Sequence, residues 1–390
     1  MTQEKQLTEE EELGDDIFGT DVYEAQRPSK KEFLPWHKPR KQFVRHFQWC
    51  EQVNLLLDEF RPDDGVLKYL GLPGVDLLDL RHFHTEICES KDIGLRFLGF
   101  NSGASPQSKA HTELNISLGE VCSLDMIDVQ SVVMPDDFCR VADRNSLAWK
   151  KAKDFGPYDV VNLDLCDGFA VHEPSVDGAT YYDALNCLIS LQAKRKYPWL
   201  LFLTTRTGRQ DINEQVLERL LDTYSKNLNG CPEFKLFSKK HLTIDDDETL
   251  RAIAATPNGH LTVFLVGLCK WMLGLALGQN PPCKIEVKST IGYCVDFDAD
   301  HDDLVSIALK FEPTFGSIYD PAGLSKAAIA ALDEGKLAVK VLSRVLKRKS
   351  ADNILADNAV LYEEMTLATE KLLALARYDI GAYRDWILAN

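Results

Sequence analysis

Residues 158–165 read YDVVNLDL, and residues 199–205 read WLLFLTT. Both are short, nearly continuous apolar runs that end in polar residues, the pattern of a strand buried on both faces of a parallel sheet. Each is followed by a turn sequence, CDG at 166–168 and RTG at 206–208. These two stretches predict the centre of a parallel sheet.

More strands are predicted on either side of this centre. Earlier apolar runs lie at residues 75–80, 95–101 and 131–134, with helical patterns between them, and we take residues 75–80 as the first strand. Two later runs, 284–297 and 304–311, are joined by an acidic turn and predict an antiparallel hairpin. The alternation of strands and helices predicts an α/β fold: a Rossmann-like, mostly parallel sheet with helices on both faces and an antiparallel edge hairpin.

Four regions differ in composition. Residues 1–26 are acidic and poor in large apolar residues, which is typical of a flexible tail. Residues 27–64 are basic and aromatic, and carry a helical pattern over 41–60. Residues 65–320 hold the predicted strands. Residues 321–390 are helical in pattern and predict a separate C-terminal extension.

Composition excludes several classes of protein. The formal net charge of -16 argues against indiscriminate binding of nucleic acid along the whole surface. The N-terminal sequence has no basic and apolar signal region, and the apolar run Leu261–Leu277 is interrupted by Lys270, so it predicts a buried helix and not a membrane span. The ten cysteines form no CxxC pair, which favours reduced, packed thiols in the cytoplasm and no metal site.

Across residues 65–312, the order of the predicted elements and the polar residues at their ends resemble the class I S-adenosylmethionine-dependent methyltransferase superfamily. The chain also resembles bacterial three-Cys-motif partner proteins, in which a basic aromatic segment precedes the Rossmann core. The resemblance implies S-adenosylmethionine as the cofactor. The residues that it places beside the cofactor are Asp79, Arg81, Asn101, Asp143 and Arg144, and those that it places beside the substrate are Asp164 and Asp167.

The predicted first motif departs from this superfamily. After Asp79 the sequence continues LRHFH, without the glycine that lets a nucleotide approach the backbone. Two alternatives follow. The pocket binds another ligand, such as one with a phosphate that Arg81 grips, or the fold is a non-catalytic scaffold.

Two local patterns carry the candidate chemistry. Asp164 and Asp167 emerge at the end of a predicted strand, where paired carboxylates orient a substrate or activate a nucleophile; the alternative is a helix cap with a turn glycine. In the basic aromatic segment, single-stranded nucleic acid is a candidate ligand because aromatic rings stack on bases and cations follow phosphates. The alternative there is that Trp36 and Phe43 pack on the core while the cations stay solvated or pair with acids. The residues concerned are Trp36, Lys38, Arg40 and Lys41.

Two hypotheses remain open. In the first, the protein is a divergent methyltransferase that acts on nucleic acid in a bacterial defence or nucleic-acid-processing system. In the second, it is a catalytically inactive subunit that scaffolds a complex with protein or nucleic acid through its N-terminal segment or C-terminal helices.

The alternating acids of residues 296–303 do not match the EF-hand calcium loop, because His301 stands at the position where that loop requires glycine.

Overall fold

The computed structural model describes residues 31–106, 108–165, 167–174, 179–296, 302–314, 322, 324 and 332–389. The acidic tail predicted at residues 1–26 and part of the acidic stretch 296–303 lie outside the described residues. The described strands form one sheet, in the order β3-β2-β1-β4-β5-β7-β6-β8. Their bounds are β1 Val66–Gly71, β2 Gly94–Phe100, β3 Val132–Met134, β4 Val160–Asp164, β5 Trp199–Arg206, β6 Cys283–Tyr293, β7 Leu304–Pro313 and β8 Lys349–Ser350.

Strands β1 to β5 are all parallel to their neighbours in this group. Strand β7 is antiparallel to both β5 and β6. The predicted α/β fold, with a mostly parallel sheet and an antiparallel hairpin beside it, is therefore confirmed. The YDVVNLDL and WLLFLTT runs form adjacent central strands, with Val160 opposite Leu200.

The first strand was predicted in the wrong place. The structure has β1 at Val66–Gly71, and the run at 75–80 forms a loop followed by the first turn of a helix, Leu78–Phe83. A short run that is apolar at every position has no polar face, so its periodicity does not distinguish a strand from a helix. The turn at Pro73 and Gly74 thus follows the strand. The loop that leaves the first strand does contain glycine.

The helices form two layers over the sheet. Their bounds are α1 Pro39–Val44, α2 Glu51–Glu59, α3 Leu78–Phe83, α4 Lys109–Cys122, α5 Leu147–Phe155, α6 Tyr181–Gln192, α7 Glu214–Gly230, α8 Pro232–Leu242, α9 Asp247–Ala254, α10 Pro257–Leu277, α11 Glu334–Val345, α12 Ala351–Asp357, α13 Ala359–Leu375 and α14 Tyr383–Ala389. Side chains of α5 to α11 form the core on one face. Side chains of α1 to α4 and α12 form the core on the other. One π-helical stretch, Arg45–Cys50, joins α1 to α2, and another, His84–Glu89, continues α3.

Helix α10 is the apolar run that we predicted to be a buried helix. By length and composition it passes the test for a membrane span, but 78% of its most apolar window is buried within the fold. It packs against α7 and α11. A core helix that is covered on all sides is expected to be apolar all round.

The C-terminal helices are not set apart from the sheet as the sequence suggested. Strand β8 pairs with β6, and α13 packs against α1 and α3. Residues of α13 and α14 form a third apolar cluster with Leu78 and Phe33. The two ends of the described chain therefore meet beside the carboxyl ends of the parallel strands.

Candidate ligand-binding site

A cavity of about 380 Å³ lies at the carboxyl ends of β1, β2, β3 and β4. The strand order reverses between β1 and β4, because the chain builds β2 and β3 on one side of β1 and then returns to the other. In doubly wound sheets this switch point is where ligands bind. The volume lies within the range of small-molecule sites.

The loop after β1 forms one wall of the cavity. The amide of Asn101, at the end of β2, donates a hydrogen bond of 2.8 Å to the carbonyl of Pro73 and holds this loop in place. A Cβ atom at Gly99 would lie 2.9 Å from Pro73, so glycine at that position permits the close approach. At Gly74, a Cβ atom would meet nothing within 4 Å. The loop thus presents backbone to the cavity.

Acidic side chains dominate the lining of the cavity. The cationic side chains among the lining residues are Lys41 and Arg45, and burial lowers the pKa of His37 to about 3, which keeps its imidazole neutral. The lining carboxylates outnumber these cations and are Asp76, Asp79, Asp136, Asp137, Asp164 and Asp167. The resulting negative potential favours a cationic or a neutral polar ligand over a phosphate.

Residues 31–45 cross the cavity and are called the roof below. The ammonium of Lys41 lies 2.6 Å from Asp164 and donates a second hydrogen bond, of 3.0 Å, to the hydroxyl of Tyr293. The guanidinium Nε of Arg45 lies 2.6 Å from Asp79. Burial lowers the pKa of Lys41, but Asp164, Tyr293 and Asp79 together outweigh burial and raise it above its ordinary value, so the ammonium stays charged. Lys31 also pairs with Asp76, so the basic segment neutralises three acids of the site from above.

The C-terminal helices hold the roof down. The ring of Phe33 packs 5.3 Å from Tyr383 and 5.4 Å from Trp386, measured between ring centroids. The hydroxyl of Tyr383 donates to the carbonyl of His37 at 2.5 Å, and that of Tyr378 donates to Asp76 at 2.7 Å. Aromatic packing and the hydrogen bond from Tyr383 thus fix the position of the roof, and the hydrogen bond from Tyr378 ties the loop after β1 to the C-terminal segment.

Several residues singled out in the sequence line this one cavity. The members of this group are Asp79, Asn101, Asp164, Asp167, Trp36 and Lys41. Asp164 is the last residue of β4, while Asp79 is in the first turn of α3 and not at a strand end. Trp36 lies at the mouth with 41% of its surface exposed.

Arg81 does not line the cavity, so the prediction that it grips a phosphate there is wrong. Its guanidinium donates to the carbonyl of Asp76 at 3.0 Å and to Glu120 at 2.5 Å, and the side chain is buried. On a helical turn, it points away from the ligand side of the loop.

Asp143 and Arg144 also lie outside the cavity. Both are exposed beyond the 3₁₀ turn Phe138–Ala142, and Asp143 accepts a hydrogen bond from the backbone of Asn145. The acids that enter the cavity after β3 are Asp136 and Asp137, directly behind the strand. The sequence analysis missed these two, although acids right after an apolar run were the signal that it used elsewhere.

The proposed nucleic-acid residues do not form an exposed basic stripe. Lys41 is 3% exposed and paired inside the cavity, and Lys38 is also buried. Arg40 is half-buried, with its Nε 2.8 Å from Asp352. Of the four, Trp36 alone is exposed. In the alternative considered for this segment, Trp36 and Phe43 pack on the core and the cations pair with acids. Phe43 is buried, and Arg40 and Lys41 do pair with acids, whereas Trp36 is exposed.

A comparison with family models matches residues 30–388 to the family described as PP_RS20740-like. The match includes the roof, the strands around the cavity and the C-terminal helices. A search of curated proteins found no match.

Proposed function

We propose that this chain, which belongs to the PP_RS20740-like family, binds S-adenosylmethionine in the cavity under the roof and acts as a methyltransferase. One observation carries the proposal: the cavity lies at the switch point of the sheet, with polar residues from the ends of β2, β3 and β4. Asn101 follows β2, Asp136 and Asp137 follow β3, and Asp164 ends β4. The resemblance to class I methyltransferases places the cofactor in the same crevice.

The chemistry of the lining suits this cofactor. S-adenosylmethionine carries a sulfonium and an ammonium cation, which a cavity rich in carboxylates attracts. It would supply an electrophilic methyl group at the cavity. Asn101 and Asp137 are the residues that we expect to bind its hydroxyl and base groups, and Phe100 and Phe138 provide the apolar walls.

The mouth of the cavity supports the entry of an acceptor. Asp167 is exposed there, beside Trp36 and Tyr181. We propose that Asp167 takes the proton that the acceptor loses, and that Trp36 stacks on a planar group such as a base of nucleic acid. We place this activity in the bacterial cytoplasm, in nucleic-acid processing or defence. The nine described cysteines are free thiols, which suits a reducing compartment.

A second candidate function is favoured by the two ion pairs of the roof. Lys41 holds Asp164, and Arg45 holds Asp79, so the carboxylates that the resemblance assigns to substrate and cofactor are already occupied. A protein with this arrangement scaffolds a complex without transferring a methyl group. The two candidates differ in catalysis and need not differ in ligand binding.

Isothermal titration with S-adenosylmethionine tests the first proposal. We expect the wild type to bind, and Asp137→Asn to weaken binding about tenfold because a carboxylate acceptor is lost. The substitution keeps the helix cap, since the Asp137 side chain accepts a hydrogen bond from the backbone of Cys139 and asparagine caps equally well. The matched control is Asp143→Asn, which should bind like the wild type.

Two outcomes would decide against these ideas. If the wild type does not bind S-adenosylmethionine, this molecule is not its cofactor. Binding without transfer of a labelled methyl group to single-stranded or double-stranded nucleic acid would favour the scaffold.

A further inference from the structure

A second cavity, of about 950 Å³, lies on the other side of the roof. The ends of β5 and β6 and the first turn of α10 contribute to its walls. Lys38 and Arg40 line this second cavity, whereas His37 and Lys41, from the same segment, line the first. The roof is thus a shared wall between two separate sites.

Each carboxylate that lines the second cavity already accepts a hydrogen bond or forms an ion pair with the protein. The pairs are Asp296 with Arg206 at 3.0 Å, Asp302 with Ser350 at 2.8 Å, Asp303 with the backbone of Val295 at 2.6 Å, and Asp352 with Arg40 at 2.8 Å. Burial also raises the pKa of Asp302 and of Asp303. These acids therefore repel an anion less than their number suggests.

Two arginine side chains that line the second cavity form no such pair with the described residues. Within the described part of the chain, neither the Arg209 nor the Arg348 side chain makes a hydrogen bond or an ion pair. Arg209 is exposed on the turn after β5, and Arg348 is half-buried just before β8. Burial lowers the pKa of Arg348 and the charge of Asp302 opposes this effect. A half-buried guanidinium that feels a nearby carboxylate but makes no hydrogen bond to it keeps its N–H donors for an anionic ligand.

The amino end of α10 lies on the same wall. This helix has 21 residues, and its first turn brings Asn258 and His260 to the second cavity. His260 is 6% exposed, and neither ring nitrogen makes a hydrogen bond of acceptable geometry, although the carbonyls of Thr207 and Ala254 lie nearby. Burial lowers the pKa of His260, so its neutral ring keeps one N–H to donate. A helix amino end favours negative charge.

We propose that the second cavity is a binding site for a phosphate group, gripped by Arg209 and Arg348 and met by His260 and the amino end of α10. Guanidinium forks bind phosphate oxygens in pairs, which is stronger than neutral hydrogen bonding. This site goes beyond the proposed function, because it is separate from the cavity assigned to S-adenosylmethionine and opposite to it in charge preference. A free phosphate and the 5′-phosphate of a nucleotide present the same group.

Titration of the full chain with inorganic phosphate and with adenosine 5′-monophosphate, in chloride buffer of fixed ionic strength, tests the site. We expect saturable binding of both, and Arg209→Gln and Arg348→Gln should each weaken it by about tenfold or more. The control is Arg344→Gln on α11, because this exposed arginine lies 3.7 Å from Glu286 and does not line the cavity. Tighter binding of the nucleotide than of phosphate identifies a nucleotide as the ligand.

Three results would overturn the proposal: no saturable binding of phosphate or nucleotide by the wild type, equal binding by Arg209→Gln, or a loss in Arg344→Gln as large as in the other two. Arg209 is exposed, so its substitution tests the site even where Arg348→Gln disturbs folding. Binding of S-adenosylmethionine, measured in parallel, reports on the first cavity alone. The two proposals therefore fail independently.

Discussion

His37 is a buried histidine that accepts a hydrogen bond, because the backbone N–H of Leu34 donates to its Nδ1 at 3.0 Å. A proton on that nitrogen would face another donor. Burial lowers the pKa of His37 to about 3. An unfolded histidine takes up its proton near pH 6.5, so the folded state loses stability as the pH falls below that value, by about 1.4 kcal/mol per unit until the folded pKa is reached.

We expect His37→Gln to reduce this sensitivity to acid. Between about pH 7 and pH 5, the wild type should lose about 2 kcal/mol through His37 alone, and the variant should be spared that loss. Urea denaturation at both pH values measures the change in the free energy of unfolding. His241→Gln replaces an exposed histidine and serves as the control. A variant whose stability falls as steeply as that of the wild type would show that His37 is protonated in the folded protein.

At the residue scale, the prediction of which acids line the cavity depended in part on where each strand was placed. Asp164 was found because YDVVNLDL is a strand in fact, and the residue stands at its end. Asp143 was chosen over Asp136 and Asp137, although the run at 131–134 was placed correctly and these two acids follow its end after a single proline. Arg81 was misassigned because the strand before it was placed one element too late.

At the scale of elements, the roof shows what composition does not reveal. The sequence displayed cations among aromatic rings, a pattern that fits nucleic acid and core packing equally well. The partners of these cations, Asp79, Asp164 and Asp352, stand far away in the chain. Only tertiary structure shows that the charges point into the protein.

Phe33 is the side chain by which the C-terminal helices hold the roof, so we expect Phe33→Ala to destabilise the protein. The ring is half-buried among aromatic residues, and its loss should cost roughly 2 kcal/mol, less than for a fully buried phenylalanine. Urea denaturation measures the free energy of unfolding. Trypsin under native conditions should also cut the variant faster at Arg40 and Lys41, because a loosened roof exposes both.

The control for this substitution is Leu236→Ala on α8, where the side chain is 71% exposed. It should leave both the free energy of unfolding and the rate of cleavage close to those of the wild type. If Phe33→Ala is as stable as this control, the C-terminal helices do not hold the roof through Phe33.

At the scale of the whole molecule, the fold class followed from the sequence because the strands and helices of a parallel sheet each have a recognisable local pattern of apolar residues. Buried central strands are apolar throughout, and the helices between them are amphipathic. Such local patterns do not determine where the C-terminal helices pack. Their apolar faces fit a separate bundle and a cap on the strand ends equally well. The choice depends on contacts with the roof more than 300 residues away, such as the hydrogen bond from Tyr383 to the carbonyl of His37.

The central claim is that the roof and the ends of four strands enclose a cavity for S-adenosylmethionine. Amide hydrogen exchange with and without saturating S-adenosylmethionine, followed by mass spectrometry, tests it most directly. We expect slower exchange on ligand addition in four segments: the roof, the loop at residues 72–77, residues 101–103 and residues 136–138. Unchanged exchange in all four, or protection confined to other parts of the chain, would contradict the claim.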